Sequence, residues 1–577
     1  MSRTEGTRLR YAADEKPPGL VSLFIGLQVG ILVCVPVVVV TTIVARAAGL
    51  DDSYLSWAIF ASMLIGGIVT VLQASRLGAF GGGSLTVMGA SGAAIGVAVL
   101  ALVTGGPPLL GILVVASAIS QFILSASLSR LRHVITPLVS GTLLALVSVT
   151  VMPMGFAMLT RVPDDAHPAA APTVAAVTIL IVVGLMLRAP RMVRAWTPVL
   201  GLGAGCVTAA FFGILDLGRF ADAGWIGVPA LPPLALDLSF GPGFWILLPG
   251  FLFVTFVITV RQVGDSVRMQ RLSYRAPRAI DFRKVEGAVN ACGVGTLLSG
   301  FAGVLPPWPY VAGISMAEGI GVAARRIGVH IGIVFVCLAF VPKIVALILS
   351  IPLPVLGAYL TVIFGLTFAQ GMRVVFHEGA HRQNALVAGL SLWIGIGIQF
   401  QAIFPAHLAT PTGRMLANGL TAGGLTILLL TLFLELTGPR RIRTEVPLRP
   451  ESLPRLDRFV VDFAARYGWG TSATERLWAA SEEALLSLLR QEEDDRAPAN
   501  EERRLRVVAR NARDGASLEF TAATHAGNLE NQMMLFGDRP DPTSERDLSL
   551  ALLRHHASSV KHREYHNVDI LTVGVKR

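Results

Sequence analysis

The chain is poor in charge and poor in cysteine. Charged residues make up only 15% of its 577 residues, against 53% hydrophobic, which excludes a soluble globular protein for most of its length. Its four cysteines, Cys34, Cys206, Cys292 and Cys337, each fall inside an apolar run without paired spacing. That excludes a disulfide framework and a cysteine zinc site. Metal-ligand spacings and a Ser/His/Asp constellation are missing, and His377 and His381 share only a helix-end spacing, so neither an enzyme nor a bound cofactor or metal is expected. The formal net charge of +10 is spread in short clusters between apolar runs, with no single basic face for nucleic acid.

What is abundant is apolar sequence long enough to cross about 30 Å of hydrocarbon. Such runs begin near Val21, Leu55, Ser84, Leu109, Val134, Thr173, Val199, Phe244, Val285, Val311, His330, Val355, Ala385 and Leu416. Alternate connections carry the positive charge: Arg3 to Lys16, Arg76, Arg130 and Arg132, Arg188 to Arg194, Arg268 to Lys284, Arg325 and Arg326, Arg373 and Arg382, and Arg440 to Arg443. The opposite connections hold Asp51 and Asp52, Gly105 to Pro108, Asp164 and Asp165, and Asp216 to Pro242. This alternation predicts an all-α polytopic membrane protein of about fourteen segments, with both termini in the cytoplasm. The expected organisation is a polar tail over 1–19, a transmembrane domain over 20–438 and a cytoplasmic α+β domain over 439–577.

Two runs are weak. The third, Gly81 to Gly96, is dense in glycine and hydroxyl residues, and the tenth opens on Pro306, Pro307 and Pro309. Each is expected to start as a short strand and turn helical partway through the bilayer. Seven segments separate them, as in an inverted seven-plus-seven repeat with a binding site between the interrupted helices. Glycines that merely permit close helix packing are the plainer reading.

From Lys16 to Leu436 the chain resembles the nucleobase/ascorbate transporters, also called xanthine/uracil permeases. The resemblance rests on Lys16-Pro17-Pro18, Gly26-Leu27-Gln28, Leu72-Gln73, Val87 to Ser91, Gly264-Asp265, Gly295 to Gly300, Leu305-Pro306 with Tyr310, Gly321 to Arg325, and Ile351 to Gly357. It implies a substrate-holding core that moves against a gate domain, commonly as a dimer, with uptake driven by protons or sodium. Gly89, Ser91, Tyr310 and Val311 then fall at the substrate site.

The departures are specific. Arg261 stands where the family has a glutamate that accepts from ring N–H groups, and Ala312 and Gly313 fall on its second carboxylate and the following asparagine. A rival register puts Glu318 on that carboxylate. Val29 and Asp265 replace two family histidines, leaving Asp265 or Glu318 for ion coupling. An Arg cannot discharge itself and is costly inside a span, so a pocket holding Arg261 between two helix N-termini suits an anion: urate, a carboxylate or an inorganic anion. The alternative has Arg261 snorkel toward the Arg268 to Lys284 loop, paired with Asp265. Lys343 has the same two readings, with Asp265 and Glu318 as its possible partners.

The tail reads as helices from Leu453 and over Ser472 to Leu489, strands over Arg504 to Arg510 and Ser517 to Ala522, a helix over Asp547 to Ser559 and a strand over Val568 to Val575. Its order resembles an anti-sigma-kinase type of GHKL ATPase through Leu477 to Ser487. That resemblance implies nucleotide contacts at Glu483 and Ser487, but Ser487 replaces the magnesium-binding asparagine and Thr521 to Ser544 lacks a glycine-rich lid. A degenerate, regulatory fold is expected. The functions in view are a secondary transporter of nucleobases or an anionic purine in a bacterial inner membrane, an anion transporter of sulfate-permease type, and a non-transporting receptor that signals through the tail to a cytoplasmic partner.

Overall fold

A computed structural model describes residues 9–577 except 129–135, 164–165, 191–192, 195, 231–235, 276–279, 311, 377–381, 409, 411–412, 414–417, 438–440, 495–503, 513–514, 523–551, 554 and 566–567. The chain divides into two compact units: one of residues 1–273 and 285–433, the other of 274–284 and 434–577.

The first unit is helical, for the reason the composition gives: long apolar runs can satisfy their backbone in lipid only by internal hydrogen bonds. In chain order its main helices are α1 (Gly19–Ala47), α2 (Asp52–Ser75), α3 (Ile95–Ala126), α4 (Pro137–Leu159), α5 (Ala170–Arg188), α6 (Thr197–Phe211), α7 (Gly218–Asp222) and α8 (Pro242–Leu272). There follow α9 (Phe282–Phe301), α10 (Ala312–Ile320), α11 (Arg325–Ala339), α12 (Pro342–Leu349), α13 (Leu353–Val375), α14 (Arg382–Gln399) and α15 (Gly419–Thr437). Among the described residues eight helices are long and apolar enough to cross a membrane, or nine if α11 and α12, bent by 82°, form one broken span.

The punctuation is local chemistry. Asp51 caps α2 by accepting from the Tyr54 N–H at 3.1 Å, and Thr136 caps α4 through Val139, with Pro137 in the first turn where its missing N–H costs nothing. The turn expected at Gly105 to Pro108 is a break inside α3, where Gly106 takes φ 68° ahead of two prolines.

Both weak runs do begin as strands. β1 (Val87–Ala90) pairs antiparallel with β2 (Pro307–Tyr310), in the register Val87↔Tyr310 and Gly89↔Trp308. Pro307 and Pro309 alternate with Trp308 and Tyr310, so the residues without an N–H recur at every second position, as one edge of a two-stranded ladder allows. A three-residue 3-10 turn (Gly92–Ala94) leads β1 into α3, and α10 starts two residues after β2.

Within this unit two groups of helices pack among themselves. α1, α2, α3, α8, α10 and α11 surround the strand pair, while α4, α5, α6, α13 and α14 form the other group.

The second unit carries β3 (Ile442–Pro447), α16 (Leu453–Arg466), α17 (Thr471–Asp494), β4 (Arg504–Ala512), β5 (Gly515–Ala522), β6 (Ser559–Tyr565) and β7 (Val568–Lys576). The strands form one antiparallel sheet in the order β3-β4-β5-β7-β6. Leu456, Val460 and Phe463 of α16 and Leu477, Ala480 and Ala484 of α17 bury against Leu505, Leu518, Phe520 and Val573. Two expectations need correction. The helix expected over Asp547 to Ser559 ends before Ser559, where β6 begins and turns His562 into the core; residues 552–553 and 555–556 are helical, and 547–551 and 554 lie outside the described residues. β3 was not expected at all. The lid region Thr521 to Ser544 lies outside the described residues from 523 onward.

Candidate functional site

The site is built around the strand pair. β1 is fixed from behind by α2, where the Met88 N–H donates to the Thr70 hydroxyl at 3.0 Å. At its far end the Ser91 N–H donates to the Pro306 carbonyl at 3.0 Å and the Tyr310 hydroxyl donates to the Ala90 carbonyl at 2.9 Å. The extended backbone at this depth thus finds its partners inside the protein.

Two glycines make the approach possible. A Cβ at Gly89 would stand 2.4 Å from the Tyr310 ring and 2.7 Å from Val37, and one at Gly313 would stand 2.2 Å from the Leu85 carbonyl oxygen. Gly89 and Gly313 are therefore needed for packing, and any side chain there would push the strand pair or α10 out of place.

α8 runs alongside β2 and the 3-10 turn. From it Arg261 donates through Nε to Asp265 Oδ2 at 2.7 Å, one helical turn on, and both side chains are nearly buried, at 12% and 10% exposure. The Arg261 guanidinium also lies over the Trp308 ring, 5.9 Å from its centre. Of the two readings of Arg261, the pairing with Asp265 is present, and the indole keeps the guanidinium beside the strands. Its two Nη groups donate to no described residue. Ser91 is fully buried, and its hydroxyl has no hydrogen-bond partner among the described residues.

The remaining candidates fall as follows. Ala312 opens α10 directly after the strand, and Val311 lies outside the described residues, as do His377 and His381. Glu318 sits near the other end of α10, half exposed, where Arg268 donates to it at 2.6 Å. Glu483 and Ser487 are on α17 of the second unit. Lys343 does not meet Asp265 or Glu318: its ammonium lies 5.0 Å from the Phe220 ring centre and 5.1 Å from that of Trp225. The reason is placement on α12, beyond the bend, where the nearest neighbour is α7 and not α8.

Sequence reasoning missed Trp308, although its place between two prolines marks a side chain presented by extended backbone. It also missed Phe364 of α13 and Asn418 ahead of α15. Cβ atoms at Gly92 and Gly96 would come within 3.6 Å of Phe364 and 2.6 Å of Asn418, so both face the start of α3 from the other helix group.

The model of the Permease family, that of the xanthine/uracil permeases, matches residues 21–404. A putative purine permease of Clostridium perfringens (strain 13 / Type A) is 27% identical over 403 residues, covering 69% of this chain and 87% of that protein. The xanthine permease XanP of Escherichia coli (strain K12) is 25% identical over 450 residues, covering 75% and 96%. Among solved structures, the murine Slc26a9 anion transporter in its inward-facing state superposes with a TM-score of 0.51 at 14% identity, over 75% of this chain and 71% of that one. At that identity the likeness speaks to fold alone.

Proposed function

The chain belongs to the xanthine/uracil permease family of membrane transporters, and from that premise we propose a secondary active carrier whose site has been turned from accepting to donating hydrogen bonds. The observation that carries this is the Arg261 guanidinium, seated on Trp308 beside the strand pair with its Nη groups unused. Asp265 neutralises much of its charge, so the site asks less for a bare inorganic anion than for a ring bearing acceptors. The Ser91 hydroxyl and the helix starts at Gly92 and Ala312 add donors. An oxopurine rich in acceptors fits that set, above all urate as its anion, with three carbonyl oxygens, and xanthine next, whose unprotonated imidazole nitrogen adds an acceptor to its two carbonyls; uracil offers two carbonyls alone.

In this reading fourteen segments arranged as seven plus seven form a core around the strand pair and a gate around α13, in the inner membrane with both termini cytoplasmic. Asp265 is the coupling carboxylate for a proton or sodium ion, since it is nearly buried on the helix beside the strand pair, whereas Glu318 is exposed near the far end of α10. The carrier works as a homodimer, and the tail regulates it through a cytoplasmic partner without hydrolysing ATP.

Uptake of labelled urate, xanthine and uracil into proteoliposomes, under imposed proton and sodium gradients, tests the proposal. Urate and xanthine are expected to enter in preference to uracil. Arg261→Ala should reduce their uptake about ten- to a hundredfold, the worth of a charge-assisted hydrogen bond. Uptake of uracil in preference to urate and xanthine, unchanged by Arg261→Ala, would contradict it.

A further inference from the structure

The chain passes between the two helix groups of the first unit at three places, and two of these are the connection 212–241, from α6 to α8, and the bent stretch 340–352, from α11 to α13. We propose that these two linkers are fastened to each other by a clasp centred on Lys343, so that they move as one hinge. This goes beyond the transport assignment and does not depend on which substrate is carried.

Three contacts make the clasp. The Lys343 ammonium lies over both the Phe220 and the Trp225 ring, and it makes no ion pair among the described residues. The Gly227 N–H donates to the Phe340 carbonyl at 3.2 Å, the carbonyl at the end of α11 that the bend leaves without a helical partner. α7 packs against α12. Beside these contacts a cavity of about 390 Å³ opens between the two linkers, lined by Asp52 and Phe60 of α2, Val228 and Pro229 of the linker, and Val345 and Leu349 of α12. At the edge of that cavity the attachment is made by the cation with its two rings, the one backbone hydrogen bond and the packing of α7 on α12.

The chemistry suits a moving part. A cation over aromatic faces tolerates sliding and tilting, whereas a carboxylate partner would demand a fixed geometry. With both rings on one linker and the cation on the other, a change in the α11–α12 bend is passed to the chain entering α8.

The test reads distance and needs no ligand. Spin labels at Gly224→Cys and Leu347→Cys, both exposed positions, in a background whose four native cysteines are replaced, report the linker separation in proteoliposomes by pulsed dipolar spectroscopy. A single short distance is expected for the parent protein. Lys343→Met should raise the separated population about fivefold, as the loss of roughly 1 kcal/mol of cation–π attraction does. Lys343→Arg, which keeps a cation over the rings, should restore the short distance and serves as the folding control. An unchanged distribution in Lys343→Met, or a broad one already in the parent, overturns the clasp. Failure of urate or xanthine uptake would leave this readout untouched.

Discussion

Arg261 and Lys343 are both cations on apolar helices, and the protein holds them by different means. Arg261 has a carboxylate one turn along its own helix and an indole on the neighbouring strand, and both members of the ion pair are nearly buried. Lys343 has two aromatic rings on a distant connection and no carboxylate among the described residues. The carboxylate fixes the guanidinium through Nε and leaves its two Nη groups without a partner among the described residues. It can also take up a proton, which rings cannot. Aromatic faces hold a charge without fixing its direction, and that is what a joint requires.

The largest effect that would separate the two belongs to the ion pair. Asp265→Ala strands the Arg261 charge in a nearly dry site and should destabilise the protein by about 3–5 kcal/mol, read as a fall in the melting temperature of the purified protein. The double variant Arg261→Met with Asp265→Ala should recover most of that loss. If the single variant melts no lower than the double one, the pair is solvated and the contrast with Lys343 collapses.

Next comes the packing at each place. Gly89→Ala drives a methyl into the Tyr310 ring and should cost about 1–3 kcal/mol, with loss of ligand binding. Gly227→Ala, at the clasp, meets only Pro342 at 3.3 Å and should cost well under about 1 kcal/mol. Equal losses at the two glycines would show that the linker is as tightly packed as the site.

The smallest effect lies in the second unit and serves as a background that neither cation should disturb. Burial, then the charges of Asp457 and Glu483, raise the Glu482 carboxyl above its ordinary range. A raised folded-state pKa means that the folded tail holds this proton more tightly than the unfolded chain does, so stability falls as pH rises through that interval. Glu482→Gln should therefore raise the tail's unfolding temperature at neutral pH, in the full-length protein, and the gain should vanish when pH falls below the ordinary carboxylate range. A gain that persists in acid would point to packing instead of charge.

Much of this was legible in the sequence for physical reasons. Glycine and proline in two otherwise apolar runs announced backbone that cannot be helical throughout, and β1 and β2 stand there. The four-residue spacing of Arg261 and Asp265 announced their pairing. The partners that come from remote chain were not legible. Nothing local ties Trp308 to Arg261, or Phe220 and Trp225 to Lys343, because no periodicity encodes a contact across helices. In the tail, β3 was hidden because Arg443 read with Arg440 and Arg441 as one juxtamembrane cluster, and β6 because its buried His562 stands between charged residues where an aliphatic side chain would mark a strand.

The central claim, that Arg261 is a donor to substrate, is tested most directly by thermal stabilisation of the purified protein with urate, xanthine, uracil and sulfate, in the parent and in Arg261→Ala. A ligand that binds the folded state alone raises its apparent stability in proportion to the logarithm of saturation. The account predicts stabilisation by urate and xanthine that Arg261→Ala abolishes, and little from uracil or sulfate. Stabilisation by uracil alone, equal in the parent and the variant, would contradict it.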